Sequence, residues 1–169
     1  MTLHAAHASP QSETQVALSA ADHTQGNASA ALTLLEYGDY ECPACIQAEP
    51  LTRHLVEAFG KRLRFVFRHY PLDEAHPHAA LAAEAAEAAA AQGQFWAMHH
   101  LLFTQAHHLK PAALASYAES LRLDMHRFNG EMSDRIYTQR VQEHRRAAEQ
   151  AGIKTTPAFF LNDDAVDVS

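Results

Sequence analysis

Cysteine appears only twice in the 169 residues, as Cys42 and Cys45. Two thiols leave a zinc site two ligands short unless histidines complete it. Lysine and arginine are absent before Arg53, which removes the basic n-region of a secretory signal and the arginines of a transit peptide. No apolar run precedes Ala30, and none anywhere approaches the roughly 18 residues of a membrane-spanning helix. These absences point to the cytoplasm, or to the periplasm if the natural start lies upstream, and to no membrane partner. The 13 Lys and Arg are outnumbered by 20 Asp and Glu, for a formal net charge of −7. Nucleic acid is therefore not an expected partner, because phosphate contacts need clustered positive charge. The tightest basic run, "EHRRAAEQ" around Arg145 and Arg146, is interleaved with glutamate, as on a solvated helix face.

The first 28 residues lack aromatic side chains as well as Lys and Arg, so they have little to bury and are expected to be disordered. Beyond them, a hydrophobic fraction of 47% is enough for one core.

The run "ALTLLEY" over 31–37 is short, apolar and flanked by small polar residues, which suits a buried strand. "PACIQAEPLTRHLVEAFG" then reads as a helix opened by Pro43, interrupted by Pro50 and stopped by Gly60. In "KRLRFVFRHYPL", Leu63, Phe65 and Phe67 alternate with Arg64, Val66 and Arg68, giving a second strand parallel to the first across the helical crossover. From His76 to about Gly152 the pattern is helical, with Pro111, Asp124 and Ser133 as start signals and Glu84 and Glu87 as the wet face of an Ala-rich helix. "AFFL" and "AVDV", separated by Asn162 to Asp164, close the chain as two partnered strands.

Cys42 and Cys45 thus fall between a strand and the start of a helix. There the first thiol faces unpaired backbone N–H groups and the positive end of the helix dipole, which favour its thiolate. The second is placed to close a disulfide, so that Cys42 forms a mixed disulfide and Cys45 resolves it. The alternatives are two inert core cysteines, or zinc held by Cys42, Cys45 and one or two of the 13 histidines. Glu36, six residues before Cys42, is a candidate proton carrier for Cys45, against a carboxylate that simply reaches solvent. Pro157 starts a strand; a cis bond from Thr156 would expose backbone groups beside the thiols. Asp39, Glu41 and Glu49 surround the pair, and their like charge would disfavour the thiolate. On that ground the disulfide should be less oxidising than the roughly −120 mV of DsbA and nearer the roughly −270 mV of thioredoxin.

The segments "LEYGDYECPAC", "RFVFRHYPLDEAHPHA", "AAEAAEAAAAQGQFWAMHHLLF" and "GIKTTPAFFLN", in that order, resemble the DsbA-like thiol-disulfide oxidoreductases of the thioredoxin superfamily. The resemblance implies an α/β thioredoxin fold with an inserted all-helical domain. Its core would take residues 29–75 and 152–169, and its insertion residues 76–151. It implies Cys42 as nucleophile, Cys45 as resolving thiol, Glu36 at the buried-acid position and Thr156-Pro157 as a substrate-docking cis-proline loop. It calls for no cofactor and no metal. The partners it implies are protein thiols or disulfides, with a redox partner protein or glutathione to recycle the site. The sequence departs from the pattern in having Pro43-Ala44 between the cysteines, where strongly oxidising members have histidine before the second. It also stops at Ser169, where a covering helix would follow: either it is a piece of something longer or an apolar sheet face is open to a partner.

Overall fold

The computed structural model describes residues 17–168. Strand β1 (His23–Gly26) is followed by β2 (Leu32–Gly38), helix α1 (Pro43–Phe59), a short 3-10 turn and β3 (Leu63–His69). Five helices come next: α2 (Ala79–Ala90), α3 (Phe95–Thr104), α4 (Pro111–Ser120), α5 (Met125–Ser133) and α6 (Thr138–Gln150). Strands β4 (Ala158–Leu161) and β5 (Asp164–Val166) complete the described chain. The strands form one sheet in the order β1-β3-β2-β4-β5. β2 pairs parallel with β3 and antiparallel with β4, so it is central, which is why its sequence is apolar throughout instead of alternating.

Both faces of the sheet are covered. Leu34, Leu63, Phe65 and Phe67 pack with α1 and the helical block, whereas Leu35, Tyr37, Val66 and Phe160 pack with Ala148 of α6 and with Ile153. Helix α2 is buried nearly all round, since Ala82, Ala83, Ala85, Ala86, Ala88 and Ala89 are each at most 2% exposed. Its small side chains let neighbouring helices approach closely.

Three sequence expectations give way here. Glu84 and Glu87 are not a wet face but are 2% and 3% exposed. Arg135 grips both oxygens of Glu84 and Thr138 donates to it, while His23, His69 and Arg140 bond Glu87. Nor is the whole of 1–28 without structure, because residues 23–26 form β1, antiparallel to β3. That edge is anchored by the Arg68 guanidinium, which donates to both carboxylate oxygens of Asp22 at 2.7 and 2.8 Å. The expectation of disorder for residues 1–16 lies outside the described residues. Finally, Ser133 ends α5 and does not start a helix, whereas Asp124 caps α5 by accepting from the Arg127 amide at 3.0 Å.

Candidate active site

Pro43 opens α1 with Cys42 as its N-cap residue, so the thiols lie at the end of β2 where the sheet hands over to the helix. Cys42 is 6% exposed and Cys45 is fully buried; both are free thiols. Across the turn, the Cys42 thiol donates to the Thr156 carbonyl at 3.4 Å, and the Thr156–Pro157 bond is cis. The fold therefore brings together positions 42, 45, 156 and 157, which are 114 residues apart at the Cys42 contact.

The two thiols are electrostatically unlike. Cys42 is pulled down to about 5, above all by the hydrogen bond from the Cys45 thiol, with Thr156 and the backbone of Cys45 and Ala44 adding to it and burial opposing. Cys45 is pushed far up, by that same hydrogen bond, by burial and by the charge of Glu36. One sulfur is thus a thiolate near neutral pH and the other holds its proton.

Glu36 is 2% exposed and does not reach solvent. Burial, then the charges of Glu49 and Cys42, push it up to about 8, so it is mostly a neutral acid at pH 7. Among the described residues, three buried side-chain atoms have no hydrogen-bond partner, and two of them, Glu36 Oε1 and Thr156 Oγ1, belong to positions singled out at this site. Unsatisfied groups are costly, and this cost falls on the thiol neighbourhood.

The acidic neighbours behave differently from the sequence expectation. Asp39 pairs with His76 at 2.7 Å, Glu41 with His78 at 2.9 Å and Glu49 with His100 at 2.9 Å. Each carboxylate is turned to a histidine, none is a cause of the Cys42 shift, and the expected penalty on the thiolate does not appear. Sequence reasoning overlooked Asp39 and the "HPH" histidines as parts of the site. The signal was the Asp-x-x-Cys spacing, in which an aspartate accepts from amides two and three residues on.

Zinc on the cysteines is not favoured. Among the described residues, His23, His69 and Glu87 are the group whose ligating atoms lie close enough for a metal, and neither cysteine is in it. There Glu87 Oε1 is already bonded at 2.8 Å by both imidazoles, and Oε2 by Arg140 at 2.9 Å. An apolar groove of about 430 Å³ opens beside the thiols, lined in part by Ala44, Leu51, Leu55, Pro157, Phe159 and Val166.

A two-layer sheet with a helical insertion, carrying a Cys-x-x-Cys pair at a helix start beside a cis-proline turn, defines a DsbA-like thiol-disulfide oxidoreductase. The family model described as Thioredoxin matches residues 18–169, and the chain belongs to the thioredoxin family. It is 28% identical to a thioredoxin-like oxidoreductase from Silicibacter pomeroyi, with a TM-score of 0.76 over 86% of this chain and 82% of that one. BdbD from Bacillus subtilis shares the fold at 22% identity, with a TM-score of 0.77 over 85% and 83% of the two chains. Over 141 residues the chain is 48% identical to the Na(+)/H(+) antiporter NhaA 1 of Salinispora arenicola, covering 83% of this chain but 22% of that protein. The chain thus spans about a fifth of the length of the curated relatives it matches.

These findings overturn the cytoplasmic expectation. DsbA-like proteins are typically extracytoplasmic, and the longer relatives are named as antiporters, so a missing leader at residue 1 says nothing of the compartment. No helix among the described residues is long and apolar enough to cross a membrane.

Proposed function

We propose that the chain exchanges dithiol for disulfide with protein substrates through Cys42 and Cys45. The observation that carries this reading is the split between the thiols: Cys42 is lowered to about 5 while its buried neighbour is raised. In the reducing direction the Cys42 thiolate attacks a substrate disulfide, forming the mixed disulfide and releasing one substrate thiolate. Cys45 then loses its proton to ionised Glu36 and attacks Cys42, which closes the Cys42–Cys45 disulfide and expels the second substrate thiolate. In the oxidising direction the steps reverse, and protonated Glu36 returns the proton to Cys45 as it leaves.

Thr156 and Pro157 dock the substrate strand beside Cys42, and the apolar groove suits an unfolded segment. With Cys42 near 5, between roughly 3.5 for DsbA and 7 for thioredoxin, the potential should lie between those of the two. A redox partner protein or glutathione resets the pair. Because the redox buffer of the cytoplasm is no longer the frame, the direction of flow is set by whichever of these meets the site.

Trapping tests the reading. With Cys45→Ala, mixed disulfides on Cys42 should accumulate with a reduced, unfolded protein offered in disulfide form, and Cys42→Ser should accumulate none. Equal yields from the two variants would overturn it.

A further inference from the structure

Asp39 is 1% exposed and gives both carboxylate oxygens away. Oδ1 accepts from the amides of Glu41 at 2.7 Å and Cys42 at 3.1 Å, two groups of the dithiol turn. Oδ2 accepts from the amide of Leu72 at 2.9 Å and lies 2.7 Å from Nδ1 of His76, both in the loop between β3 and α2. Its main chain takes part as well, since the Asp39 carbonyl accepts from the Cys42 amide at 3.2 Å and the Asp39 backbone hydrogen-bonds the Cys45 sulfur. A second tie runs alongside, with Glu41 holding the amide and Nδ1 of His78, the N-cap residue of α2.

The consequence lies in which amides remain for the nucleophile. A helix start leaves its first N–H groups unpaired. Pro43 has no N–H, and Asp39 holds the N–H of Cys42. The next two, on Ala44 and Cys45, are the ones that hydrogen-bond the Cys42 sulfur.

We propose that Asp39, braced by His76, is a positioning residue for the thiol chemistry: it fixes the turn so that the Ala44 and Cys45 amides face the Cys42 sulfur. This rests on the reading of Cys42 as the nucleophile. Asp39 needs its charge for the task, because four donors converge on it. Asparagine would bring one oxygen and an NH₂ group, setting donor against donor. Its side chain does not touch the reacting atoms, so its effect must appear in the titration of Cys42 and not as a lost chemical step.

The test is the rate of Cys42 alkylation by iodoacetamide in the reduced full chain, followed by peptide mass spectrometry between about pH 4 and 9. The unaltered chain should show its inflection near pH 5. Asp39→Asn should raise that inflection by about one unit, a roughly tenfold slower reaction on the acid limb, with less than about a twofold change in the alkaline plateau. His76→Ala should move it the same way by about half as much, and His76→Gln, which keeps a donor, should restore it. Superimposable profiles for Asp39→Asn and the unaltered chain would overturn the inference; should Asp39→Asn not fold, an unmoved profile for His76→Ala does so. An unaltered chain whose Cys42 titrates as a free thiol, near about 8.5, would overturn both this inference and the proposed function, whereas a low inflection untouched by the variants sinks only the inference.

Discussion

Glu36 and Glu87 are both sealed in the protein, at 2% and 3% exposure, and burial presses on them in the same direction. They finish on opposite sides of the ordinary carboxylate range. Glu36 has Oε1 without a partner and the negative neighbours Glu49 and Cys42, and it is pushed up to about 8. Glu87 meets the same burial, but His23, His69 and Arg140 supply donors to both oxygens, and its carboxyl is held well below the usual value. Burial also lowers His69, so its bond to Glu87 is from a neutral imidazole, and Arg140 carries the compensating charge. Burial sets the size of the cost, and the donors decide whether the group ionises. One glutamate is left poised to move a proton beside the thiols, and the other is locked as a strut between β1, β3 and α2.

The contrast breaks first at Glu87. Glu87→Ala removes the acceptor of three groups at once and leaves Arg140 and His69 unpaired against the core. Breaking a buried pair from one side costs about 3–5 kcal/mol, read as a lower urea midpoint at unchanged slope. A loss under about 1 kcal/mol would mean that Glu87 is no strut and that the difference between the two glutamates is not one of donors.

Glu36→Gln should act in the opposite sense. The folded carboxyl sits near 8 against a model value of 4.5, so the folded state binds the proton more tightly. Its contribution is fully present below about pH 4.5 and drains away as pH rises towards 8. Glutamine escapes that drain. The variant should match the parent at low pH and be more stable by about 3 kcal/mol at pH 7, while closure of the Cys42–Cys45 disulfide slows by about a hundredfold. A stability difference that does not change between pH 4 and 8 would show that Glu36 does not titrate in this window.

How these sites could be read from the chain differs for a related reason. The strand, the proline-opened helix and the two thiols are local patterns, legible because each signal lies within a few residues of the next. The "TTP" turn lies 114 residues from Cys42 and was placed beside it by resemblance, not by periodicity. Strand β1 was not legible: "HTQG" has no apolar alternation, and it is held by Asp22 meeting Arg68, 46 residues on, and His23 meeting Glu87, 64 residues on. Glu87 looked like a surface charge because a buried glutamate and an exposed one have the same helical spacing, and the donors that tell them apart come from distant elements. Asp39 looked like an electrostatic nuisance to the thiols for the same reason, since His76 is 37 residues away.

The smallest effect sharpens the strut reading. The His23 ring stacks on Phe95 with centroids 3.7 Å apart and planes 7° from parallel, so a flat ring is wanted there whatever its polarity. His23→Phe keeps the stack and removes one donor from Glu87 Oε1, which retains His69 at 2.8 Å and has Arg140 on its other oxygen. A bond whose acceptor stays otherwise satisfied is worth about 1 kcal/mol. The loss for His23→Phe should therefore be near that figure and well below the loss for Glu87→Ala, with the backbone pairing of β1 to β3 keeping the edge strand in place. Equal losses from the two substitutions would instead make His23 the indispensable partner, and the strut would hang on one donor where the geometry offers three.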